Sequence, residues 1–121
     1  MVVYVSYIYP PVFYKPTPIP LTTIVDTIPA GGIKVVNIQP PPNEVWKIYI
    51  CAHSYVLYNG SYVEIVASGG YVMKREYGDS VKEPTVCVEA VVTNSNYVFV
   101  RANNPGSSSV GLEVVYSGEK L

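Results

Sequence analysis

The stretch that decides the fold is Thr85-Val-Cys-Val-Glu-Ala-Val-Val-Thr93, followed by Asn94-Ser-Asn96, Tyr97-Val-Phe-Val-Arg-Ala102, Asn103-Asn-Pro-Gly-Ser-Ser108 and Val110-Gly-Leu-Glu-Val-Val-Tyr116. Apolar residues recur here with a period of two, and each run ends in Asn, Pro, Gly or Ser. That is the signature of short half-buried strands joined by turns, and no helical period of 3.6 competes with it. Val98, Val100 and Ala102 are predicted to face a core, with Tyr97, Phe99 and Arg101 opposite. Val110, Leu112, Val114 and Tyr116 share one face, and so do Val86, Val88, Ala90 and Val92. The three runs read as an antiparallel meander.

The same grammar extends toward the N-terminus. Further strands are predicted at 2–9, Leu21–Ile28, Gly32–Gln39, Glu44–His53, Tyr55–Tyr58, Ser61–Ala67 and Tyr71–Tyr77. Trp46, Ile48, Ile50 and Ala52 should face inward, with Val45, Lys47, Tyr49 and Cys51 outward. Asn59-Gly60 fits a two-residue type I′ turn, in which both central residues need φ > 0. Nine of the eleven prolines lie between Pro10 and Pro42. The segment Pro10–Pro20 cannot donate ladder hydrogen bonds at its prolines, so it is expected to be extended and polyproline-like, as a surface connector, a capping edge or an arm. Phe13 and Tyr14 would be its anchors on a neighbouring subunit. With 121 residues, the chain is expected to be one all-β domain: an antiparallel sandwich of eight to ten strands, jelly-roll-like.

Composition narrows the function. Charged residues make up only 14% of the chain, against about a quarter in an ordinary soluble domain. The surface must therefore be built largely of Tyr, Ser, Asn, Pro and Val, which favours association with copies of itself. Tyr97 and Phe99, on an outward face, join Phe13 and Tyr14 as interface candidates. The eight basic residues are scattered and the net charge is −1, so no cationic stripe offers itself to nucleic acid. No apolar run approaches a membrane span. The start has no cationic region and reaches Pro10-Pro11 too soon for a signal peptide, so no export signal is expected.

Catalytic and metal chemistry find little to work with. His53 is the only imidazole, and no pattern marks a Ser or Cys as its nucleophile. Glu76 and Asp79 read as a solvated turn. Ala30-Gly31-Gly32 and Ser68-Gly69-Gly70 lead into no helix and are turns rather than phosphate cradles. Cys51, His53, Cys87 and Glu89 lack the tight paired spacing of a zinc site. Cys51 and Cys87 are either two reduced thiols packed as small apolar residues or, if their strands are neighbours, a disulfide. No cofactor, metal or catalytic residue is expected. Asn59-Gly60-Ser61 also matches the N-glycosylation acceptor pattern, although its turn role accounts for it.

Within Ile28–Ile48, Pro29–Gly31 forms a Pro-x-Gly turn, and Pro41-Pro-Asn-Glu-Val-Trp46 forms a corner that opens the next strand. These elements resemble a pattern in small β-sandwich virion proteins of phages and archaeal viruses. The Tyr/Val/Ile richness likewise resembles proteins of hyperthermophilic archaea and their viruses. The resemblance implies a non-enzymatic structural or assembly protein, located in a virion or the host cytoplasm and acting through homo-oligomerisation and contacts with other virion proteins. The alternative is a lectin-like module that binds a surface glycan, using exposed Tyr and Trp with loops Asn94–Asn96 and Asn103–Asn104.

Overall fold

A computed structural model describes residues 16–121. The expected strand over 2–9 and the anchors Phe13 and Tyr14 lie outside the described residues. The described chain contains no helix and eight strands: β1 (Thr17–Ile28), β2 (Ile33–Ile38), β3 (Val45–Ser54), β4 (Tyr62–Ala67), β5 (Val72–Tyr77), β6 (Thr85–Thr93), β7 (Val98–Asn103) and β8 (Val110–Lys120). They form two four-stranded antiparallel sheets, β1-β8-β3-β6 and β2-β7-β4-β5.

Four of the pairings are nested. The first strand pairs with the eighth, the second with the seventh, the third with the sixth and the fourth with the fifth. The chain thus behaves as one long hairpin, turned back at β4–β5 and wrapped into two layers. Between the layers lies a single apolar cluster that includes Ile28, Ile48, Ile50, Ile65, Val100, Leu112 and Val114, all essentially without solvent contact. These inward positions match the faces picked out by alternation. β-Branched residues dominate them, as a pleated half-buried surface favours.

Three expectations need correction. The meander over Thr85–Tyr116 does not exist, because β6 and β8 lie in one sheet and β7 in the other. Short polar links that cross the end of the sandwich carry the same Asn, Pro and Ser as hairpin loops, so sequence does not separate the two. Tyr55–Tyr58 is not a strand. It carries the chain from one sheet to the other, and Val56, 2% exposed, plugs the end of the core. Residues 17–20 are not a free arm but the start of β1, with Thr17 opposite Lys120. Pro18 and Pro20 are tolerated because β1 is an edge strand, and the register breaks between Ile19 and Thr22.

β8 also runs further than expected, to Lys120, as an interior strand of its sheet. Gly118 permits this. A Cβ there would sit 2.8 Å from the Ile48 Cα, so only glycine lets the neighbouring β3 backbone come this close. The Pro41–Trp46 corner has a local explanation too. Asn43 takes a left-handed φ of 69° after Pro42, and Glu44 N–H closes the turn onto the Pro41 carbonyl at 3.3 Å. Glu44 immediately precedes β3, two residues from Trp46. Trp46 Nε1 donates to Glu44 Oε1 at 2.8 Å, and the indole stacks on Tyr116.

Candidate functional site

With the core sealed, what remains to act is the pair of outer sheet faces and the loop ends. The outer face of β2-β7-β4-β5 is the more elaborate. One row across it reads Val35, Arg101, Glu64, Arg75. Glu64 is only 1% exposed although it points away from the core. Its cover comes from its neighbours. Arg75 Nη2 lies 3.1 Å from Oε2, and Arg101 Nε lies 3.3 Å from Oε1. A carboxylate removed from water is tolerable when guanidiniums satisfy its oxygens in this way.

Aromatic rings frame the ion cluster. The Arg75 guanidinium sits 5.4 Å from the Tyr62 ring centre and 5.9 Å from that of Tyr77, and the Arg101 guanidinium sits 5.7 Å from Phe99. Arg75 Nη1 donates to the Tyr77 hydroxyl at 3.2 Å. That bond, followed by the contact with Glu64, holds the Arg75 guanidinium above its ordinary proton affinity. Ile33, Val35 and Tyr77 complete an exposed apolar margin. Arg and aromatic side chains around an excluded-water centre are the composition of protein–protein contact surfaces.

The outer face of β1-β8-β3-β6 differs in sign and in fastening. Glu89, Glu113 and Glu119 point outward there against Lys47, with Val25, Tyr49 and Val91 exposed between them. Cys51 and Cys87 lie directly opposite each other on β3 and β6 and are joined in a disulfide. The pairing removes both thiolates from any set of metal ligands. Among the described residues, no group of three or more His, Cys, Asp or Glu side chains could hold a metal ion.

His53 stands on the same face. Its Nδ1 meets the Thr85 hydroxyl, and its Nε2 lies 2.9 Å from Glu83 Oε1. Thr, His and Glu in a chain have the outline of an activated nucleophile. The arrangement ties the start of β6 to the end of β3.

Of the interface candidates, Phe99 lies on the Arg/aromatic face and Tyr97 just before β7, in a groove with Met73, Glu89 and Val91. The sequence reading missed Glu64 and Arg75. A lone Glu in Val63-Glu-Ile-Val66 looks like any outward strand residue, and its partners come from two other strands. Three of the four loop asparagines offered to a glycan are already in use. Asn104 is buried and bonds the Ile28 and Ser108 carbonyls and the Gly106 N–H. Asn103 accepts from Tyr62 N–H and donates to the Gly60 carbonyl. Asn94 Nδ2 donates to the Pro40 carbonyl at 3.0 Å. No protein-family model matches the chain, and no curated protein matches it.

Proposed function

We propose that this chain is a non-enzymatic jelly-roll subunit that self-associates as a component of a virus particle. The observation that carries the reading is the strand order. β1-β8-β3-β6 over β2-β7-β4-β5, with nested pairing throughout, is what two interlocked Greek keys produce. Double-sheet jelly rolls serve viral capsids, lectins and cupins, so the fold narrows function only by analogy. The faces narrow it further. One carries Arg75 and Arg101 over a single carboxylate. The other carries three carboxylates over Lys47. Opposite faces of opposite sign suit head-to-tail contact between copies, a heterologous arrangement that closes into rings or extends.

The lectin-like alternative ranks second, because Asn94, Asn103 and Asn104 direct their amides to backbone groups rather than outward. Light scattering behind size exclusion, over a concentration series, tests the assembly reading. The expected result is a mass that is a multiple of 13.3 kDa. Ile33→Glu combined with Val35→Glu, on the exposed margin of the cationic face, should shift it to the monomer without unfolding. A monomeric parent chain at high concentration would sink the proposal.

A further inference from the structure

The turn at Tyr58–Ser61 holds two side chains that the fold does not use. The turn is closed by Ser61 N–H donating to the Tyr58 carbonyl at 3.1 Å. Gly60 takes a φ of 86°, but Asn59 is not among the residues of positive φ. The turn is therefore not the expected type I′. It needs glycine at its third position and places no demand for asparagine at its second. Asn59 is exposed, and the bond that closes the turn runs between backbone groups without its amide.

Ser61 is stranger. It is fully buried, and its Oγ has no partner among the described residues. The hydroxyl packs against Gly78, where any Cβ would lie 2.6 Å from it. A buried hydroxyl left unpaired costs stability that alanine would not. Two residues that the fold does not require thus stand two apart as Asn-x-Ser. Beside them runs an open groove of about 350 Å³ lined by Leu57, Tyr58, Asn59 and Ser80, with Leu57 and Tyr58 half exposed. An aromatic ring and an aliphatic side chain next to an acceptor amide are what the apolar face of a first sugar would cover.

We infer that Asn59 is an N-glycosylation acceptor whose first sugar lies on the Leu57–Tyr58 groove. In the transfer, Asn59 Nδ2 attacks the anomeric carbon of a lipid-phosphate-linked oligosaccharide. The N–C bond forms, the C–O bond to phosphate breaks, and the amide loses one proton as the lipid phosphate leaves. Because Ser61 is sealed in the folded chain, transfer precedes closure of the turn. It also implies folding on the exported side of a membrane, the setting in which disulfides such as Cys51–Cys87 persist. That departs from the host cytoplasm, one of the two expected locations, and from the expected lack of an export signal.

Peptide mass spectrometry on the full chain from its native source tests this directly. After reduction and trypsin, the peptide Ile48–Lys74 should carry a sugar-sized increment localised to Asn59. The same peptide at its unmodified mass overturns the inference. Thermal unfolding of Ser61→Ala, made without glycosylation, tests the second premise. A Tm equal to or above that of the parent supports an idle hydroxyl. A fall of several degrees gives Ser61 a structural task and removes the argument.

Discussion

The two sheets share one core but fasten their outer faces by different physics. On β1-β8-β3-β6 the fastening is covalent, Cys51 to Cys87. On β2-β7-β4-β5 it is ionic, Glu64 between Arg75 and Arg101. The disulfide acts mainly by restricting the unfolded chain, so salt and pH barely touch it. The ionic cluster acts only in the folded state. It is tolerable because the carboxylate is sealed while both guanidiniums stay about a third exposed and keep part of their hydration. A covalent staple adds stability outright, whereas a sealed ion cluster chiefly penalises the loss of a partner.

The comparison can be broken from either side. The largest effect is expected from Cys51→Ala with Cys87→Ala. Closing a loop of 36 residues' separation is worth about 4 kcal/mol by chain entropy, so denaturant unfolding should lose about that much. The loss should be the same at low and high salt. Next comes Arg75→Met with Arg101→Met, which keeps the side-chain cover but strands Glu64. A cost of about 2–3 kcal/mol is expected at neutral pH, below that of a fully buried pair because the arginines are partly solvated. The loss should shrink when Glu64→Gln is added, because no buried charge is then left without a partner. A loss unchanged by that third substitution would mean that packing, not charge, explains it.

The smallest effect concerns exposed ion pairs at the sheet margins. Asp26 accepts from the Thr27 N–H and pairs with Lys34 at 3.2 Å, joining the edges of the two sheets. Glu44 accepts from Trp46 and pairs with Lys120 at 3.4 Å. The Thr27 amide, then Lys34, lowers the Asp26 pKa, and the Trp46 indole, then Lys120, lowers that of Glu44. Carboxyls lowered in the native state bind protons first when unfolded. Their contribution is therefore present above the ordinary carboxylate range, about pH 4, and is lost as pH falls through the lowered native values. Asp26→Asn with Glu44→Gln should slightly flatten the acid limb of a Tm-against-pH curve. An unchanged limb would leave these pairs no part in it.

Much of the fold was legible because a period-two pattern is local. Val98, Val100 and Ala102 show their inward side without reference to any other strand. The assignment of strands to sheets was not legible, since Asn94–Asn96 reads alike whether it turns back within one sheet or crosses to the other. Tyr55–Tyr58 misled for a related reason, as a loop that must plug a core end borrows the apolar residues of a strand. The outer-face cluster was half visible. Phe99 and Arg101 were placed outward correctly, but the burial of Glu64 depends on Arg75, eleven residues away on another strand, and on Arg101. Burial achieved by neighbours' side chains leaves no local trace.

The nested pairing also sets an order of events on the ribosome. β8 is an interior strand of its sheet, held between β1 and β3. Until residues 110–120 emerge, β1 and β3 have no neighbour between them, and the first sheet stays an open slot flanked by unpaired backbone. Contacts joining residues about a hundred positions apart close late and slowly.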